Sequence, residues 1–204
     1  GSLVVRNLRI AGPAVAGVDR GAVIRVAGGG ELRVESGVLE KGRAIQDGGG
    51  IHSDGPVSVL RSTLGNLHAE NGVGGAIVAS RVTVVGSTIG FNSSAGRSVI
   101  VTTDPAEGNA IDTTYIIENG GSGVLPGRTV VNAGPLVVRD STLAYNTAHQ
   151  GALGGAGFVS VTNSVLAQNI GPDCAGPVSS GGFNLEAGSS CGFTAGGDLQ
   201  NGSF

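Results

Sequence analysis

Apolar and variable positions alternate along seven short stretches of the chain. Each stretch is followed at a fixed distance by a Leu or an Ile. These seven anchors are Ile10, Leu39, Leu64, Ile89, Ile116, Leu143 and Leu166. Five residues before them stand Val5, Val34, Val59, Val84, Ile111, Val138 and Val161, all β-branched. Seven residues before stand Leu3, Leu32, Val57, Val82, Asn109, Leu136 and Val159, apolar except for Asn109. The position between these two columns is mixed: Val4, Arg33, Ser58, Thr83, Ala110, Val137 and Ser160. Apolar-in, variable-out alternation is the period of a strand that buries one face.

The anchors are 29, 25, 25, 27, 27 and 23 residues apart. A unit of that length cannot bury its apolar face alone and must stack on its neighbours. The better-defined units read as strand, turn, anchor strand, loop and a third short strand, such as Ile51-His52-Ser53, Ile77-Val78-Ala79 and Ser98 to Thr102. Three short strands per unit and no 3.6-residue periodicity predict an all-β chain: a single right-handed parallel β-helix of about seven coils. Glycines recur in register at Gly49-Gly50, Gly74-Gly75 and Gly154-Gly155, where the chain is expected to turn close to another backbone. The turn-rich run from Thr103 to Gly108, next to Asn109, is expected to disturb the stack. Asn92, Asn119, Asn146 and Asn169 stand three residues after the last four anchors. They predict a structural ladder of stacked asparagines at a tight corner, in a left-handed conformation that Asn tolerates.

The single domain spans 1–204, with regular coils over 3–170 and an irregular cap over 171–204. That tail is rich in Gly and Ser and holds both cysteines, Cys174 and Cys191. With no His/Cys cluster nearby they read as one disulfide holding the tail over the last coil, the alternative being two unrelated buried thiols.

Gly and Pro make 46 of the 204 residues, which raises the question of disorder. Leu, Ile, Val and Phe number 56 and charged residues only 13%, so a core is expected. The net charge is −3 with one lysine, Lys41, which argues against a nucleic-acid or anionic-membrane partner. No apolar run is long enough to span a bilayer. No signal peptide precedes the first strand, and the chain reads as a piece of a longer protein.

Candidate chemistry is sparse. On the outward column four before the anchor, Arg6 faces Glu35 and Asp112 faces Arg139, as cross-strand pairs on adjacent coils. No aligned strand column puts two carboxylates together, as glycoside hydrolysis requires. The densest polar cluster is Asp47, His52 and Asp54, with Arg61, His68 and Glu70 one coil on; it reads as a solvated corner, or as a metal or catalytic site. No zinc-protease or serine-hydrolase motif occurs. Phe91 and Tyr145 share a column two after the anchor, spaced roughly 10 Å if successive coils stack as strands do. They pack against loops or grip a saccharide. A flat Thr face, as in ice-binding solenoids, is broken at Tyr115. No cofactor is implied; calcium is left open, without a motif to support it.

The units Ser62-Thr63-Leu64, Ser87-Thr88-Ile89-Gly90-Phe91-Asn92 and Asp140-Ser141-Thr142-Leu143-Ala144-Tyr145-Asn146 resemble the parallel β-helix repeats of bacterial surface proteins. The tail is more specific. Asn163 to Asn169, Gly171-Pro172-Asp173-Cys174, Ser180 to Leu185 and Ser190-Cys191-Gly192 together are similar to the end of choice-of-anchor Q domains. That resemblance implies an extracellular or cell-surface bacterial location and no established chemistry. The expectation is a monomeric, non-catalytic surface module: a stalk, an adhesive or a ligand-binding face, whose partner is a polysaccharide or another surface protein. The alternative class is a polysaccharide lyase or glycoside hydrolase of the β-helix type, or its inactive relative.

Overall fold

The computed structural model describes residues 1–13, 17–96, 98–120, 128–176 and 178–202. A few residues after the first anchor strand and parts of the tail therefore lie outside the described residues. The chain winds into an all-β parallel solenoid of about six turns. Two eight-stranded sheets run its length, the first from Ser2–Arg6 to Ser179–Ser180, the second from Arg9–Ala11 to Leu185–Glu186. A third sheet has six strands, from Ile24–Val26 to Leu153–Gly155. Its six strands set the number of complete turns, whereas the sequence units counted seven. A fourth, minor sheet of three two-residue strands, Arg43–Ala44, His68–Ala69 and Ser93–Ser94, was not legible in the sequence.

The register follows the apolar columns. Val34, Val59, Val84, Ile111, Val138 and Val161 are successive partners in the first sheet. All seven anchors pair in order in the second. From Leu39 to Leu166 every anchor is fully buried, because the stacked rungs leave no room for water between these side chains. The Gly-Gly corners are needed for close approach: a Cβ at Gly49 would collide with the backbone of His68, and one at Gly75 with that of Ser93.

The run before Asn109 leaves the register intact, since Val84 still faces Ile111. The disturbance is one bond wide. The Asn109 side chain takes the ladder's place, its Oδ1 accepting from the Val82 N–H at 2.9 Å.

The tail is less irregular than expected. Ser179–Ser180 and Leu185–Glu186 add one further rung to both long sheets. The pattern is hidden because the anchor column ends in Glu186 and the valine column in Ser180. Glu186 is fully buried, and its carboxylate accepts from Ser190 Oγ, the Cys191 N–H and Gln200 Nε2. Cys174 and Cys191 are joined, 17 residues apart, and with Phe193 they close the C-terminal end of the core. Closing a loop of that length stabilises by about 3 kcal/mol in the chain-entropy model. Cys174→Ser with Cys191→Ser is therefore expected to lower unfolding stability by about that amount. Urea titration of the two proteins checks it; coincident curves would show that the crosslink is idle.

Candidate functional site

Two corners bend each turn around the second sheet, and both use left-handed residues. Three before the anchor stand Asn7, Ser36, Arg61, Gly86, Thr113, Asp140 and Asn163, all at positive φ. Two after the anchor stand Lys41, Asn66, Phe91, Glu118, Tyr145 and Gln168, with φ between 52° and 60°. The left-handed residue is thus the one before the conserved-spacing asparagine, not the asparagine itself. The side chains at the left-handed positions face outward and those of the next residues inward.

The asparagines fill that inward position. Asn92, Asn119 and Asn146 are buried. The Oδ1 of each asparagine accepts from the backbone N–H one turn earlier: Asn119 from Asn92, Asn146 from Asn119, Asn169 from Asn146. Each Nδ2 donates to the preceding turn's anchor carbonyl or its neighbourhood, as Asn119 does to Ile89 at 2.9 Å. A second ladder, which the sequence reading missed, lines the other corner. Ser62, Ser87, Ser141 and Ser164 stand two before the anchor and are buried. Ser62 Oγ accepts from the Gly37 N–H and Ser87 Oγ from Ser62, while each hydroxyl donates to a carbonyl two residues back. The signal was available: a Ser or Thr precedes five successive anchors by two residues. Both ladders give partners to N–H groups that the bent backbone leaves without a strand carbonyl.

The predicted polar cluster is divided. Arg61 joins Arg6 and Arg33 around Glu35, whose carboxyl is held below its usual range chiefly by the Arg33 guanidinium. Asp47, His52 and Asp54 lie along the third sheet: Asp47 accepts from the Val73 N–H and pairs with Arg20, and Asp54 accepts from the Gly28 N–H. His52 is buried with Nδ1 unpartnered, and its pKa is lowered by burial first and then by Arg20. His68 lies on the minor sheet and Glu70 directly follows its strand. Glu70 pairs with Arg43 at 2.9 Å, and His68 Nδ1 shares a 2.7 Å hydrogen bond with Ser93 Oγ. Burial, then Arg43, lowers the His68 pKa. Among the described residues no group of three or more His, Cys, Asp or Glu is placed to hold a metal ion.

The outward corner column is the most distinctive surface. Phe91 and Tyr145 stand 57% and 58% exposed, at φ 58° and 57°, with Glu118 between them. Neither ring is buried beneath a described loop. On one side of Phe91 opens a concavity of about 430 Å³ lined by Lys41, Arg43, Asn66, His68 and Ser93. On the other lies a smaller cavity of about 140 Å³ lined by Val38, Thr63, Gly65, Thr88 and Gly90. Asp173 and Glu186 are the carboxylates that do interact with one another, but both are buried in the tail, where burial raises the Asp173 pKa.

No family model matches the chain, and neither the curated proteins nor the solved structures contain a match. No helix of the described residues is long and apolar enough to cross a membrane.

Proposed function

We propose that the chain is a non-catalytic β-helix module of the extracellular or cell-surface kind, whose corner ridge around Phe91 and Tyr145 binds a saccharide. One observation carries this reading: two solvent-exposed aromatic side chains, Phe91 and Tyr145, stand in line along the axis in one left-handed corner column. That conformation costs an L-residue roughly 1–2 kcal/mol, and Gly or Asn would meet the same corner at less cost. Lys41, Glu118 and Gln168 share that conformation in the same column, so it is the exposure and alignment of the two rings that single them out. The two rings follow the solenoid axis two rungs apart, roughly 10 Å, so an extended polymer could stack on both. Polar groups of the flanking concavity, Asn66, His68 and Ser93, supply donors and acceptors for hydroxyls. The disulfide is compatible with an oxidising, extracellular setting.

Phe91→Gly with Tyr145→Gly is expected to hold or raise stability, by about 1 kcal/mol per site, through relief of the left-handed strain. The same variant should weaken binding to polygalacturonate or to a neutral β-linked glucan at least tenfold in affinity electrophoresis. Unchanged retardation of the variant on every polymer that retards the parent would sink the reading.

A further inference from the structure

At a different corner, where the third sheet passes to the first near the C-terminal end, lies a cavity of about 150 Å³. Gly154, Gly155 and Gly157 form one wall, Ala175 and Gly176 of the tail another, and Phe158 stands at its edge, 65% exposed. Arg128 lines the cavity. Its Nε is shut off from solvent and has no hydrogen-bond partner. The guanidinium lies over Gly154, where an added Cβ would come 3.0 Å from Nε. Glycine at 154 is needed for this close approach of the Ala175 methyl and the Arg128 side chain.

A buried guanidinium nitrogen without an acceptor is costly, and arginine cannot relieve the cost by losing its proton. Ion pairs elsewhere in the described residues engage seven other arginines, Arg6, Arg9, Arg20, Arg33, Arg43, Arg61 and Arg81, and none engages Arg128. No acidic side chain lines the cavity. The half-buried guanidinium nevertheless lines the cavity, and its planar donor fork matches a carboxylate or sulfate from outside best. The volume is well above the roughly 10–15 Å³ that one water needs and below the roughly 300 Å³ of a typical small-molecule site. It fits one charged group of a larger molecule. Phe158 beside the opening offers an apolar face on which a sugar ring can rest.

The geometry points to a subsite for an acidic saccharide, with the carboxylate of a uronate or the sulfate of a sulfated sugar against Arg128 and the ring against Phe158. This site is separate from the Phe91–Tyr145 ridge, and either can fail without the other. The test follows the arginine Nε–H resonances by ¹H–¹⁵N NMR while galacturonate, acetate, sulfate and uncharged galactose are added at constant ionic strength. Galacturonate should shift the Arg128 resonance saturably, at least tenfold more tightly than acetate, and galactose should leave it in place. Arg128→Gln should abolish the response. Phe158→Ala, a change at an exposed edge that leaves the core untouched, should weaken galacturonate several-fold and leave acetate unaltered. An Arg128 resonance that ignores all three anions, or binding that survives Arg128→Gln, overturns the site. Galacturonate no tighter than acetate, or indifferent to Phe158→Ala, overturns the saccharide assignment.

Discussion

Val84→Asp is expected to unfold the middle of the solenoid, while Thr83→Asp, one residue away, is expected to be mild. Val84 is fully buried, with Val59 and Ile111 as its partners on the neighbouring turns. A carboxylate there has no donor within the apolar column and would have to be buried unpaired or protonated. Either outcome costs on the order of 4–5 kcal/mol, a large part of the roughly 5–15 kcal/mol that holds an ordinary domain. In a stack where each turn touches only its neighbours, a failed rung also separates the turns on either side. Thr83 faces outward and is half-buried. Its replacement should cost about 1 kcal/mol or less. Thermal unfolding followed by circular dichroism checks both; equal melting temperatures would refute the register.

Asn119→Ala should be among the most damaging of the ladder truncations, at about 3–5 kcal/mol if each buried group left without a partner costs roughly 1–3 kcal/mol. Asn119 is in the centre of the ladder and 2% exposed. Its Oδ1 accepts from both the backbone N–H and the Nδ2 of Asn92. Its Nδ2 donates to the Ile89 carbonyl and to Asn146 Oδ1. Removing the amide strands groups on two turns where water cannot follow. Asn169→Ala is the comparison. Asn169 is only half-buried, so water can take up part of what is lost, and about 1 kcal/mol is expected. A chemical-denaturation series in which Asn169→Ala costs as much as Asn119→Ala would show that the ladder does not act through buried hydrogen bonds.

The register of the two long sheets was legible because each rung repeats an apolar side chain at the same offset, from Leu32 and Val34 through Val159 and Val161. A period of two leaves no freedom once one face is buried. The corner was placed one residue late for a local reason. Asn suits a left-handed position as a residue type, yet here its amide is worth more facing inward, where it satisfies N–H groups of the preceding turn. The left-handed position falls instead to whatever precedes it, including Phe91 and Tyr145, which have no sequence preference for it. The extra rung in the tail was hidden by Glu186, a carboxylate in a column of aliphatics, whose burial depends on donors from Ser190, Cys191 and Gln200. The polar cluster was read from nearness along the chain, and winding scatters it: Arg61 turns toward Glu35 while His68 stays with Ser93 and Arg43. Arg128 drew no notice in the sequence, since a lone arginine beside glycines has no pattern. Only its enclosure makes it unusual.

The constancy of the register has a consequence for how such a chain can change length. The turns differ in size, with anchors 20 to 29 residues apart, yet Val84 meets Val59 on one side and Ile111 on the other as if they were the same partner. Any whole turn bounded at equivalent columns is therefore an interchangeable part. Duplicating one in the middle would lengthen the rod by roughly 5 Å without redesigning a neighbour. The outer ridge does not share this indifference. A turn copied between Phe91 and Tyr145 would change the interval between the rings by half, so under the proposed saccharide reading a duplication there would cost binding while one elsewhere would not.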